Sequence, residues 1–251
     1  MTLVSLQGVA KTFPNGVQAL HGLDLDLREG EFVSLLGPSG CGKSTALRMI
    51  AGLATPDAGA LHWRAGARPD VGFVFQDATL MPWATIFENV WLPLRLRHVS
   101  RKDAAPAIHE ALARVGLADF AQAFPRELSG GMRMRVSIAR ALVLRPALLL
   151  MDEPFAALDE ITRLRLNRDL LALQAELGMT VLFVTHSVYE SAYLSSRICV
   201  FSNRPGRIVR DIAVPAPAPR DEHYRLSAAY LETCRIASQA LEDVMSESAL
   251  A

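Results

Sequence analysis

Leu23-Asp24-Leu25-Asp26-Leu27-Arg28 alternates apolar and charged residues without a break. Successive side chains of a strand point to opposite faces, so the stretch predicts an antiparallel strand with one buried and one wet face. Glu31 to Leu36, Ala147 to Met151 and Thr180 to Thr185 read differently, as short and nearly continuous apolar runs. Such runs suit strands buried on both faces. Leu3 to Val9, Ala60 to Trp63 and Val71 to Phe75 predict further strands, with a turn at Pro14-Asn15-Gly16. Arg197 to Ser202 and Arg207 to Ala213 predict a strand pair around Asn203-Arg204-Pro205-Gly206.

The helical period appears between these runs. A helix follows Lys43 and is capped by Gly52. Thr85 and Glu88 have capping-box spacing, and Pro93 should kink or end the helix they start. Further helices are expected over Ser100 to Val115 before Gly116, Ser129 to Leu144, and Ile161 to Leu177 before Gly178. Ser187 and Glu190 repeat the capping-box spacing before a short helix. Pro215-Ala216-Pro217-Ala218-Pro219 reads as a stiff linker. An amphipathic tail helix should follow, with Tyr230, Leu231, Leu241 and Val244 among its apolar positions.

The expected organisation is therefore an α/β core interrupted by helices. Residues 1–76 carry its first half with an antiparallel β subdomain, and 77–140 an inserted helical lobe. Residues 141–213 complete the core, and 214–251 form the linker and tail. At 251 residues, 51% hydrophobic, the chain is long enough for one large domain or a domain with a lobe. Its 26 basic residues balance 26 acidic ones, so no net field favours nucleic acid. Three scattered cysteines make no disulfide framework and suit a reducing, cytosolic setting. The N-terminus lacks a signal-peptide pattern, and no apolar run of about 18 residues suggests a membrane span.

The chemistry gathers at Gly37-Pro38-Ser39-Gly40-Cys41-Gly42-Lys43-Ser44-Thr45, between a strand and a helix. That spacing fits a phosphate-binding loop. Glycines let the backbone aim several N–H groups at a phosphate, and the helix adds its positive end. Lys43 is placed to reach the β- and γ-phosphates, and the Ser44 hydroxyl to ligate Mg²⁺. Asp152 and Glu153 follow a buried strand and supply a second half-site: Asp152 to hold Mg²⁺, Glu153 to polarise an attacking water.

Leu128-Ser129-Gly130-Gly131-Met132 resembles the signature segment of ATP-binding cassette (ABC) proteins. With the loop and the carboxylates, the resemblance covers residues 3 to about 213. It implies a P-loop NTPase (RecA-like) core with an antiparallel β subdomain and an inserted helical subdomain. It also implies two ATP molecules, with Mg²⁺, sandwiched between two head-to-tail protomers. In that arrangement Ser129, Gly130, Gly131 and Met132 meet the partner protomer's γ-phosphate, and Asp159 of Ala157-Leu158-Asp159 crosses to the partner's site. Gln76 takes the family's place as sensor of Mg²⁺ and water, and His186 that of the γ-phosphate contact. Phe13 takes the place of the aromatic that stacks on adenine, although an aromatic before a turn is also a core residue. Met134 departs from the pattern, since the family usually has Gln between residues like Arg133 and Arg135, and polar contacts around this helix are expected to differ.

Phe73 to Trp83, Asp152 to Phe155, Leu158 to Arg163, Thr185 to Glu190 and Ser202 to Arg207 are similar to the ATPase subunits of nitrate, sulfonate and taurine importers. This implies permease subunits as partners, a periplasmic or lipoprotein solute-binding protein as an indirect one, and a peripheral place on the cytoplasmic membrane face. Leu80, Met81, Trp83, Phe87 and Trp91 either line a groove for a permease helix or form the lobe's own core. Arg95, Arg97, His98, Arg101 and Lys102 read as a solvated basic face. Two rivals stand beside this reading. A soluble cassette protein acting on ribosomes or nucleic acid usually carries two cassettes or a long coiled-coil insert. A phosphate-loop kinase for small molecules needs neither the Leu128–Met132 segment nor Glu153.

Overall fold

The computed structural model describes residues 1–215 and 220–249, with the backbone alone for Glu222 and 247–249. Residues 216–219 of the expected linker lie outside the described residues. The chain divides into two compact units, Met1–Arg68 with Gly178–Ala251, and Pro69–Leu177.

The first unit opens with β1 (Thr2–Thr12), β2 (Gln18–Arg28), β3 (Phe32–Leu36), α1 (Lys43–Ile50) and β4 (Ala58–Trp63). β2, β1 and β4 form an antiparallel sheet in that order. The alternation sets its two faces: Leu23, Leu25 and Leu27 are buried while Asp24, Asp26 and Arg28 face water. All five residues of β3 are buried. α1 ends in a Schellman turn, with Gly52 at φ +71. There Gly52 N–H donates to Met49 O (2.9 Å) and Leu53 N–H to Arg48 O (2.8 Å).

The second unit holds β5 (Val71–Val74), α2 (Ile86–Leu96), α3 (Arg101–Arg114), α4 (Gly130–Leu142), β6 (Leu148–Asp152) and α5 (Glu160–Leu177). β5 and β6 pair in parallel. Thr85 caps α2 with both bonds of the capping box, at 3.2 and 2.9 Å. Pro93 does not end α2, which runs on to Leu96. A proline inside a helix costs about 3 kcal/mol. The capping box and the buried Ile86, Phe87 and Val90 offset it.

The five apolar residues after Gln76 divide. Phe87 is core, its ring centroid 5.7 Å from that of His109. The Trp91 Nε1–H donates to Val99 O (3.1 Å), and Trp83 is 76% exposed. A groove of about 310 Å³ in this unit is lined instead by Phe73, Phe75, Leu92, Pro93, Leu96 and Leu144 among others. In the basic stretch, Arg97 pairs with Asp70 and Arg101 lies over the Phe87 ring.

The first unit resumes with β7 (Thr180–Thr185), α6 (Val188–Leu194), β8 (Arg197–Phe201), β9 (Ile208–Ala213) and α7 (Ala228–Ala249). β3 lies between β7 and β8, parallel to both, and β9 adds antiparallel to β8. Ser187 caps α6 by accepting from Glu190 N–H (3.3 Å). The expected reciprocal bond is not the one Glu190 makes: its carboxylate accepts from Thr185 Oγ1, so only half of the capping box forms there.

Tyr230, Cys234, Ala237, Ala240 and Val244 form the buried stripe of α7, and the last three pack against Leu36, Ile198, Val200 and Val214. Leu231, expected in that stripe, is 57% exposed. It follows Tyr230 by one residue, about 100° round the helix. All three cysteines are free and buried, and burial pushes the Cys199 thiol up to about 12.

Candidate active site

The buried strand β3 delivers the chain into the glycine-rich loop with little room to spare. A Cβ on Gly37 would lie 3.0 Å from Phe201 Cβ, and one on Gly42 would lie 2.5 Å from Ala19 O. Gly40 and Gly42 have φ of +76 and +110, a region costly for residues with a Cβ. Gly42 is the N-cap of α1, has no side chain with which to cap it, and the first turn holds no carboxylate. Such a helix start offers its N–H groups and positive end to an anion.

Lys43 is 3% exposed and folded into the loop. Its Nζ donates to Gly37 O and Pro38 O, both at 2.7 Å, and lies 3.7 Å from Cys41 Sγ. Ser39 and Gly40 are exposed, Pro38, Gly42 and Ser44 half-buried, and Gly37, Cys41 and Thr45 buried. A cation inside a loop of backbone amides suits a polyphosphate.

Strand register places the other first-unit residues. β3 and β7 pair Leu36 with Thr185, so Gly37 and His186 follow at the same strand ends. His186 is exposed there. Phe13 follows β1, and its ring is not core, since the residue is 37% exposed. Stacking needs only such an open π face. Phe13→Ala is expected to weaken ATP by about 0.5–1.5 kcal/mol, and Phe13→Trp to leave it unchanged. Titration with a fluorescent nucleotide checks this; equal losses for both would make Phe13 a packing residue.

In the second unit β5 and β6 pair Val74 with Met151. Gln76 and Glu153 each stand two residues beyond that pair, with Asp152 between Met151 and Glu153, so the three share one end of the strand pair. Asp152 and Glu153 are half-buried and Gln76 is exposed. Glu153 has φ +46, strained for a residue with a side chain. Ser44 and Asp152 are oxygen donors of the kind a hard divalent cation takes.

Ser129 is exposed and caps α4, its Oγ accepting from Met132 N–H (3.2 Å). Gly130 and Met132 are half-buried. Gly131 is buried for a reason its position in the motif did not disclose: a Cβ there would lie 2.6 Å from Thr162 Cγ2 on α5. The Thr162 N–H donates to Asp159 Oδ1 (3.0 Å), and this bond holds the Asp159 carboxyl below its usual range. Thr162 thus ties the Ser129–Met132 segment to Ala157-Leu158-Asp159. The sequence signal for it was its place in the Leu158–Arg163 match, which carried no role. Met134 is 4% exposed, and its thioether has no hydrogen to donate, whereas Arg133 donates to Leu128 O (2.6 Å) and Arg135 to Asp169 (2.6 Å).

A model of the family described as ABC transporter matches residues 20–156. The chain is 46% identical over 229 residues to the aliphatic sulfonates import ATP-binding protein SsuB 1 of Pseudomonas syringae pv. syringae, covering 91% of each. It is 42% identical over 218 residues to the nitrate import ATP-binding protein NrtD of Synechocystis sp., covering 84% of this chain and 82% of that one. Among solved structures, the dimeric post-hydrolysis state of the ATP-binding cassette MJ0796 bound to ADP and Pi is similar at TM-score 0.74 and 34% identity, over 86% of this chain and 100% of that one. CbiO1 of Clostridium perfringens, part of the transporter complex cbiONQ, is similar at TM-score 0.77 and 25% identity, over 95% and 98%.

Proposed function

The chain belongs to the ABC transporter family, and from that premise we propose that it is the ATP-hydrolysing subunit of an importer for a small solute of the sulfonate or nitrate class. The observation that carries the site assignment is Lys43 folded inside the phosphate loop, 2.7 Å from two of its carbonyls. Lys43 and the loop amides bind the phosphates of ATP, and Phe13 stacks on the adenine. Glu153 takes the proton of the attacking water, which Gln76 and His186 orient. The donors Ser44 and Asp152 suit Mg²⁺, which when bound neutralises phosphate charge.

The cassette works as a homodimer in this reading, with Ser129 to Met132 and Asp159 serving the partner's nucleotide; a similar cassette solved as a dimer supports it. Permease subunits are the membrane partners, and the similarity to a subunit of a transporter complex supports that. The apolar groove behind β5, edged by the exposed Leu96, offers a seat for a permease helix. Among the described residues no helix is long and apolar enough to cross a membrane, so attachment to the cytoplasmic face rests on that contact. A solute-binding protein outside the membrane completes the importer.

Ser129→Asp tests the shared site. Aspartate preserves the N-cap of α4 but sets a carboxylate where the partner's γ-phosphate belongs. Steady-state phosphate release should fall about tenfold, the equivalent of 1.4 kcal/mol, with the unfolding midpoint held or raised. Undiminished release would rule out the composite site.

A further inference from the structure

We propose that the turn Asn203-Arg204-Pro205-Gly206 between β8 and β9 holds the phosphate loop in its binding conformation, with Arg204 as the positioning residue and α7 as its support. The proposal rests on the nucleotide reading of that loop and concerns residues that reading leaves without a role.

Two contacts place the turn behind the loop, and a third places the strand that leads into it there. Arg204 Nε donates to Gly40 O at 3.1 Å. A Cβ on Gly206 would lie 2.1 Å from Cys41 O, so the backbone of the turn sits directly against the loop. Phe201, at the end of β8, stands where a Cβ on Gly37 would meet its own Cβ at 3.0 Å. The loop must turn its N–H groups toward a phosphate, and a peptide that aims its N–H one way aims its carbonyl the other. Gly40 O is held by the Arg204 guanidinium, and the N–H of Cys41 belongs to the same peptide. A loop whose carbonyls are anchored keeps its amides aimed, and a pre-aimed cradle binds anions more tightly than one that must order itself on binding.

The turn is itself fixed from two directions. Gly206 N–H donates to Ala19 O (2.9 Å) and Gly206 O accepts from His21 N–H (3.2 Å), joining it to β2. Ser202 Oγ donates to Pro205 O (3.0 Å) and accepts from Arg207 N–H (3.0 Å), closing the turn on itself. On the far side Asn203 Nδ2 donates to Val244 O of α7 (2.9 Å). The buried face of α7 packs on Leu36, the last residue before Gly37. The tail helix therefore backs the phosphate loop at its start, through Leu36, and near its middle at Gly40, through Asn203 and Arg204.

Arg204→Met keeps the unbranched stem of the side chain as far as the position of Nε and removes the guanidinium donor. It should raise the KM for ATP about fivefold, what one lost hydrogen bond of ordinary strength is worth, with kcat within about twofold. The unfolding midpoint of the nucleotide-free protein should not move. Arg204→Lys, which can still donate to Gly40 O, should recover most of the loss. Asn203→Ala should raise KM in the same sense, and the double variant should fall short of the product of the two, because both act through one turn. An unchanged KM in Arg204→Met overturns the proposal. So does a joint loss of KM and unfolding midpoint that Lys does not rescue, and so do effects that multiply in the double variant. Lys43→Gln in the same assay reports on the underlying reading alone: undiminished ATP binding there would refute the nucleotide site, whatever Arg204 does.

Discussion

Glu153→Gln is expected to lower ATP turnover about 10²–10⁴-fold, the loss that follows removal of a positioned general base. Glutamine matches glutamate in size and polarity but accepts no proton from water. ATP binding should persist, because Lys43 and the loop amides lie on other elements. The backbone supports a functional reading of this position. Glu153 holds φ +46, a conformation that costs of order 1 kcal/mol or more for a residue with a Cβ, directly beyond a strand whose other residues are regular. Thr79, His98 and Arg145 share positive φ, so the strain marks Glu153 only together with its place beside Asp152 and opposite Gln76. Asp152→Asn should fail differently, through weaker use of Mg²⁺-ATP rather than a slow chemical step. Neutralising Glu153 also removes a like charge near the γ-phosphate, so the ATP-bound dimer should accumulate. Single-turnover hydrolysis and light scattering with Mg²⁺-ATP check both parts. Near-normal hydrolysis removes Glu153 as the base. Slow hydrolysis without a dimer keeps the base and makes the permease necessary for closure.

What the sequence disclosed was set by neighbours along the chain. The Leu23–Arg28 alternation, the Thr85–Glu88 capping box and the Gly52 turn depend on residues a few positions apart, and each appears in the structure as the spacing implied. Gly37 to Thr45 was legible for the same reason. Contacts made between distant segments were not. Arg204 meets Gly40 across 164 residues, and nothing local to either predicts it. At position 131 a Cβ would lie 2.6 Å from Thr162 Cγ2 on another helix, a packing demand for glycine that the motif itself did not announce. Glu190 had the spacing of a capping-box partner, but its carboxylate goes to the hydroxyl of Thr185. Leu231 and Pro93 show that local rules yield to packing: one apolar residue falls beside the buried stripe of α7, and one helix breaker is carried through because α2 is anchored at its start and along its buried face.

Lys43 carries the other large expected effect: Lys43→Gln should weaken ATP about 10²-fold or more. Two hydrogen bonds from a cation to phosphate oxygens contribute about 1.5–3 kcal/mol each, and glutamine, neutral and shorter, replaces neither. Glutamine is a better choice than alanine here. In the wild type Nζ donates to Gly37 O and Pro38 O at 2.7 Å, and Gly37 is buried. Alanine strips both carbonyls of that donor, and an unsatisfied buried carbonyl costs about 1–3 kcal/mol, so lost affinity would be confounded with a collapsed loop. An amide still offers N–H groups in that direction. Arginine keeps the charge but must fit a larger, planar head at a site only 3% exposed, and is expected to bind ATP poorly for steric reasons. Thermal unfolding with and without Mg²⁺-ATP gives the decisive comparison. At a nucleotide concentration of about 100 times the wild-type Kd, binding stabilises the wild type by about 2.7 kcal/mol. A hundredfold weaker variant gains only about 0.4 kcal/mol at the same concentration. Equal gains in wild type and Lys43→Gln, from equal starting stabilities, would mean that the phosphates of ATP bind elsewhere than in this loop and that its lysine serves only to hold it.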